Sequence, residues 1–153
     1  MATDKALIAH LYRRAGFGTT SKLLEELSSK DYDDIVDDLV DIEKINDLAD
    51  EDILSRYYPQ LHSTDNFGMD NTKWFYRMIN SKKPLQEKMT LFWHGHFATS
   101  EEKVRDYRKI IKQNQMFREK SLSNFKDLLF STAKDPAMPV SYTHLTLPTK
   151  RIV

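Results

Sequence analysis

Two imidazoles stand two residues apart in the block Phe92-Trp93-His94-Gly95-His96-Phe97. Imidazole is a good ligand for zinc, copper, iron or nickel, so His94 and His96 are the candidate ligands of a divalent transition metal. Sharing one ion requires an extended or looped backbone here, with the preceding helix ending near Trp93, which Gly95 permits. On a continuing helix the two rings diverge. There Leu85, Met89, Phe92 and His96 share one face, while His94 lies opposite with Glu87 and Thr90. Open catalytic zinc sites usually draw three ligands from the protein, and no third stands nearby in sequence. The rival expectation is therefore a packed His96 and a surface His94.

A second set is Arg13-Arg14-Ala15-Gly16-Phe17-Gly18. Two guanidiniums beside a glycine-rich turn can hold a phosphate or carboxylate bidentately, which makes Arg13 and Arg14 candidate anion ligands. The spacing is not that of a Walker loop. No apolar segment follows, so it is not a twin-arginine export signal either. The simpler role is complementing the negative end of a helix, with Phe17 packed inside.

The remaining constellations carry less. Arg105, Arg108, Lys109, Lys112 and Lys120 cluster on one arc of a helix whose other arc holds Val104, Tyr107, Ile110, Ile111, Asn114 and Phe117. Aromatics fall on the apolar arc instead of alternating with the cations, so there is no strong case for nucleic acid. Asp31, Asp33, Asp34, Asp37, Asp38, Asp41 and Glu43 lack the spacing of a calcium loop and read as solvated acids. No serine sits in a nucleophile elbow. With no cysteine in the chain, disulfides and thiol chemistry are excluded.

The elements that must position these residues are helices almost throughout. Asp4 caps a helix over residues 4–15, with Leu7, Ile8 and Leu11 at helical spacing and Gly16 ending it. Thr19-Thr20-Ser21 caps one near 21–29, and Asp31 another with Ile35, Val36 and Leu39 inward. A short helix runs from Asp50 or Glu51 to Tyr58, followed by a polar loop through Gly68. Residues 71–80 form the next, Pro84 opens the helix bearing the histidine block, and Thr99-Ser-Glu-Glu102 has the capping-box form ahead of a helix to Lys120. A last helix spans 123–133. The expectation is an all-α, irregular multi-helix bundle of seven or eight helices.

Size and charge bound the rest. At 153 residues and 40% hydrophobic content the chain suits one domain with one core. No apolar run reaches the roughly 20 residues of a membrane span, and no signal peptide opens the chain, so it reads as soluble with its compartment undetermined. Equal totals of 23 basic and 23 acidic residues hide an asymmetry. Residues 19–65 hold four Lys/Arg against fourteen Asp/Glu, and residues 66–138 hold fourteen against eight.

From Val140 the helical pattern stops and acids disappear. Ser141-Tyr142-Thr143-His144-Leu145 resembles the translation of a sequencing adapter, TCTTATACACATCTG. Residues 139–153 are accordingly expected to be a non-native tail and residues 1–138 the N-terminal part of one truncated helical domain. Apolar surface uncovered by truncation would favour self-association.

Four blocks carry a family resemblance: Leu11-Tyr-Arg-Arg-Ala-Gly-Phe-Gly18, Pro84-Leu-Gln-Glu-Lys-Met-Thr-Leu-Phe-Trp-His-Gly-His-Phe-Ala-Thr-Ser100, Gln113-Asn-Gln-Met-Phe-Arg118 and Ala133-Lys-Asp-Pro-Ala-Met138. In order and spacing they resemble the DUF1800 family, bacterial proteins of unknown function. The resemblance implies a largely helical protein, usually several hundred residues long and exported in many members. It transfers no catalytic residue. Two functions follow as expectations: a metal-dependent enzyme to which His94 and His96 contribute ligands, completed by residues beyond Met138, or a non-enzymatic helical binding or scaffolding module.

Overall fold

The computed structural model describes residues 3–46, 67–97, 99, 104 and 106–142. Among them are eight α-helices and no strand, so the fold is all-α. The chain divides into two compact units, residues 1–88 and 89–153.

The first unit begins with α1 (Lys5–Ala15), α2 (Ser21–Leu27) and α3 (Tyr32–Val40), followed by a 3-10 turn (Ile42–Lys44). The expected caps are in place for the first two helices. Asp4 accepts a hydrogen bond from the Ala6 amide at 3.0 Å, and Thr20 accepts one from Leu23 at 3.3 Å. Asp31 occupies the N-cap of α3 without a side-chain bond to the helix. Apolar residues at helical spacing bring Ile8, Leu27 and Ile35 together as a buried core, bordered by Leu11, Tyr12, Leu23 and Leu24. Full burial of such side chains stabilises by roughly 1.5–3 kcal/mol each. The Thr3 amide and hydroxyl donate to the carbonyls of Ser28 and Lys30, tying the chain's start to the end of α2.

Helix α4 (Phe67–Asn80) starts four residues before the position its apolar pattern indicated. Gly68 and Asp70 fall in its first turn, where backbone amides have no intrahelical acceptor to lose. The short helix expected from Asp50 to Tyr58 lies outside the described residues.

Gly16 ends α1 and packs against Pro84, the first residue of α5 (Pro84–Phe97). A Cβ at position 16 would stand 2.9 Å from the Pro84 Cβ and 3.2 Å from the Tyr12 carbonyl oxygen. Neither neighbour is the far end of a flexible side chain. Gly16→Ala should therefore cost roughly 1–3 kcal/mol, as overpacked sites do. A urea midpoint unchanged from the parent protein would show that the contact gives way freely.

The second unit holds the end of α5 with α6 (Tyr107–Glu119), α7 (Phe125–Lys134) and α8 (Ala137–Tyr142). Of the expected capping box, residues 100–102 lie outside the described residues. Asp106 is its N-cap, accepting from the Arg108 amide at 3.2 Å, and Thr99 is buried with its hydroxyl turned to the Gln113 side chain. A hydroxyl inside must find an internal partner, and Gln113 supplies it. Asn124 caps α7 through the Lys126 amide at 2.8 Å. Helix α8 continues past Val140, where the sequence pattern had suggested irregular chain. Asp135 accepts from the Ala137 amide at 2.8 Å and so opens that helix with a side-chain cap.

Candidate functional site

The histidine block is helical throughout, because α5 continues to Phe97 and includes Gly95. Side chains two residues apart on a helix point about 200° apart, so His94 and His96 leave on different sides. Their environments reverse the expected packing. His96 is exposed and His94 is the partly buried one. The reason lies in the side of α5 that faces inward, which is polar in sequence: Glu87 and Thr90 are both fully buried, and His94 follows them one and two turns on. Apolar periodicity pointed to the opposite side, where Phe92 remains half exposed.

Burial pushes the His94 pKa below its ordinary value of 6.5 and keeps the ring neutral. A buried neutral histidine makes stability depend on pH. The unfolded chain takes up a proton near pH 6.5 and the native ring only at lower pH, so the His94 contribution is complete above about 6.5 and declines as pH falls towards the native value. Urea midpoints measured between about pH 7.5 and pH 5 should fall more steeply for the parent than for His94→Gln. Parallel curves would remove His94 from the pH response.

Trp93 is the fixed point of the block. Its indole N–H donates to the Ser121 carbonyl at 3.2 Å, joining α5 to the turn between α6 and α7. Around it the rings form a continuous cluster: Phe92 lies edge-on at 4.8 Å between centroids, Phe125 at 5.7 Å and Phe97 at 6.1 Å. Phe97 stacks in turn on the fully buried Phe117 at 5.6 Å. His96 stacks on Phe92 and meets Phe97 edge to face. The inner rings serve packing, whereas the outer ones reach solvent. Phe92 and Phe125 are each 53% exposed and Leu129, one turn beyond Phe125, is 46% exposed.

The second unit also holds a buried polar network that residue types alone did not disclose. Gln113 is fully buried in α6; its Oε1 accepts from the Thr99 hydroxyl and its Nε2 donates to Asp135 Oδ1 at 3.1 Å. The same Asp135 oxygen holds the start of α8. One glutamine thus links the segment after α5 to α6 and to the turn between α7 and α8. Gln113 and Asp135 both fall in blocks that carry the family resemblance, and that was the available signal.

In the first unit, Glu87 is the other hidden group. Its carboxylate accepts from Trp74 Nε1 at 3.2 Å and from Arg77 Nε at 3.3 Å. A spacing of ten to thirteen residues across two helices gives no local pattern to read. Arg13 and Arg14 end α1 and are exposed, as their role beside the helix terminus requires. The acids of α3 are mostly solvated, with Asp38 paired to Lys30 and Asp41 to Lys44. Among the described residues, no three His, Asp or Glu side chains gather as a metal-ligand set, and no helix is long and apolar enough to cross a membrane.

The family model described as "Protein of unknown function (DUF1800)" matches residues 10–142. No curated protein and no solved structure matches the chain.

Proposed function

Given that the chain belongs to the DUF1800 family, whose function is unknown, we propose that it works as a helical binding module whose second unit takes up an apolar segment of another protein. The exposed part of the aromatic cluster carries this reading. Phe92 and Phe125 flank the hydrogen-bonded Trp93, and Leu129 extends the surface along α7. Contiguous exposed apolar side chains on a soluble helical surface mark interaction sites, and rigid aromatic anchors contribute most to such contacts. Trp93 is rigid because its N–H is already satisfied internally. His96 adds a polar ring at the rim, stacked on Phe92.

The metal-dependent reading uses the same block differently and is separated by experiment. Elemental analysis of the metal-replete protein and of its His94→Ala, His96→Ala variant distinguishes the two. Stoichiometric metal lost from a folded variant supports the enzyme. For the binding module, Phe92→Ser with Phe125→Ser should abolish capture of an apolar helical peptide while leaving the urea midpoint within about 1 kcal/mol of the parent, since both rings are half exposed. Peptide binding that survives the double change would sink the proposal. Loss of self-association in that variant, with no peptide bound by the parent, would instead assign the surface to a second copy of the chain.

A further inference from the structure

The contact between Gly16 and Pro84 brings two basic stretches of the first unit together. Arg13 and Arg14 lie three and two residues before Gly16, and Lys82 and Lys83 immediately precede Pro84. Lys88 stands one turn into α5, with its ammonium 4.9 Å from the centre of the Phe17 ring. Five cations therefore lie within four residues of the two partners of one contact. Among the described residues, the ion pairs of this unit join Lys5 to Glu25, Lys30 to Asp38, Lys44 to Asp41 and Arg77 to Glu87, and none involves these five. The acid nearest to them in sequence, Glu87, is buried and already engaged by Arg77 and Trp74.

Residues 1–88 contain seventeen Asp/Glu and only twelve Lys/Arg, a net charge of 12 − 17 = −5. Acids are plentiful in this unit, yet among the described residues none forms an ion pair with these five cations. Unpaired like charges held side by side repel, and an oxyanion with more than one negative charge relieves that repulsion best. The two guanidiniums can offer paired N–H donors to adjacent oxygens, while the lysines act as point charges around them. Phe17 is 41% exposed and holds the Lys88 ammonium by a cation–π contact, which limits where that charge can go.

We propose that Arg13, Arg14, Lys83 and Lys88 form a binding site for the phosphate groups of a small molecule, with Lys82 adding to its field. This site lies wholly in the first unit and does not depend on the aromatic surface of the second.

The test is calorimetric titration of the full chain with inorganic pyrophosphate, a nucleoside diphosphate and citrate at low ionic strength, where screening is weak. Arg13→Gln with Arg14→Gln, and separately Lys83→Gln with Lys88→Gln, should each weaken pyrophosphate binding about tenfold or more, as loss of charge-assisted hydrogen bonds does. Lys126→Gln with Lys134→Gln, on α7, should leave it unchanged. Circular dichroism confirms that each variant is folded, and charge-preserving Lys88→Arg should restore binding if Lys88→Gln loses it. Tighter binding of the nucleoside diphosphate than of pyrophosphate supports a phosphate ester as the ligand, and equal binding supports the free anion. No binding by the parent, citrate binding as tightly as pyrophosphate, or equal weakening by the α7 control would each overturn the assignment.

Discussion

Replacing Phe117 with alanine is expected to destabilise the second unit by roughly 3–5 kcal/mol, the usual cost of truncating a fully buried phenylalanine. Phe117 has no exposed surface, and its ring stacks on Phe97 at 5.6 Å with only 11° between the planes. Truncation removes both the transfer term and the contact that seats Phe97, leaving a void beside the Phe97 ring. The end of α5 would then lose its inner support, and with it the placement of the exposed rings. Urea denaturation followed by tryptophan fluorescence reads both effects, since Trp93 belongs to the same cluster. Phe117→Leu fills most of the volume and should cost less than half as much. A loss below about 1 kcal/mol for the alanine variant would mean that α5 and α6 repack without the ring.

Removing the Glu87 carboxylate is the second large effect. Glu87→Gln keeps the shape but removes the negative charge facing the Arg77 guanidinium and asks one amide to serve two donors. Breaking a buried pair by deleting one member costs roughly 3–5 kcal/mol, and the low end applies here because Arg77 remains 21% exposed and water can reach it. Glu87→Met with Arg77→Met should recover much of that loss, because the double change leaves no buried charge. Thermal or urea unfolding of the three variants measures the coupling. If the single and double variants are equally destabilised, the pair contributes through packing alone and the electrostatic account fails.

These two sites show why part of this protein was legible in its sequence and part was not. Helix positions depend on local chemistry, so Asp4 and Thr20 were found as caps and Gly16 as a terminus, and the Ile8, Leu27 and Ile35 core followed from apolar spacing. The histidine block misled for a physical reason. Apolar spacing placed His96 inside, but α5 turns Glu87, Thr90 and His94 inward, and each polar group on that side is tolerated only because of what it meets there. Glu87 meets Trp74 and Arg77, ten or more residues away in sequence. Likewise, the buried Thr99 hydroxyl meets Gln113, fourteen residues away in sequence.

By itself, the sequence determined the all-α class, most helix boundaries, the family, and the presence of two basic and aromatic-histidine blocks capable of chemistry, because propensity, capping and periodicity act over a few residues. Tertiary structure decided which polar side chains go inside, that His94 and His96 diverge on one continuous helix, and that Gly16, just after Arg13 and Arg14, packs against Pro84, just after Lys83. Those outcomes rest on partners far apart in the chain, whose hydrogen bonds and charges take effect only once packing has brought them together.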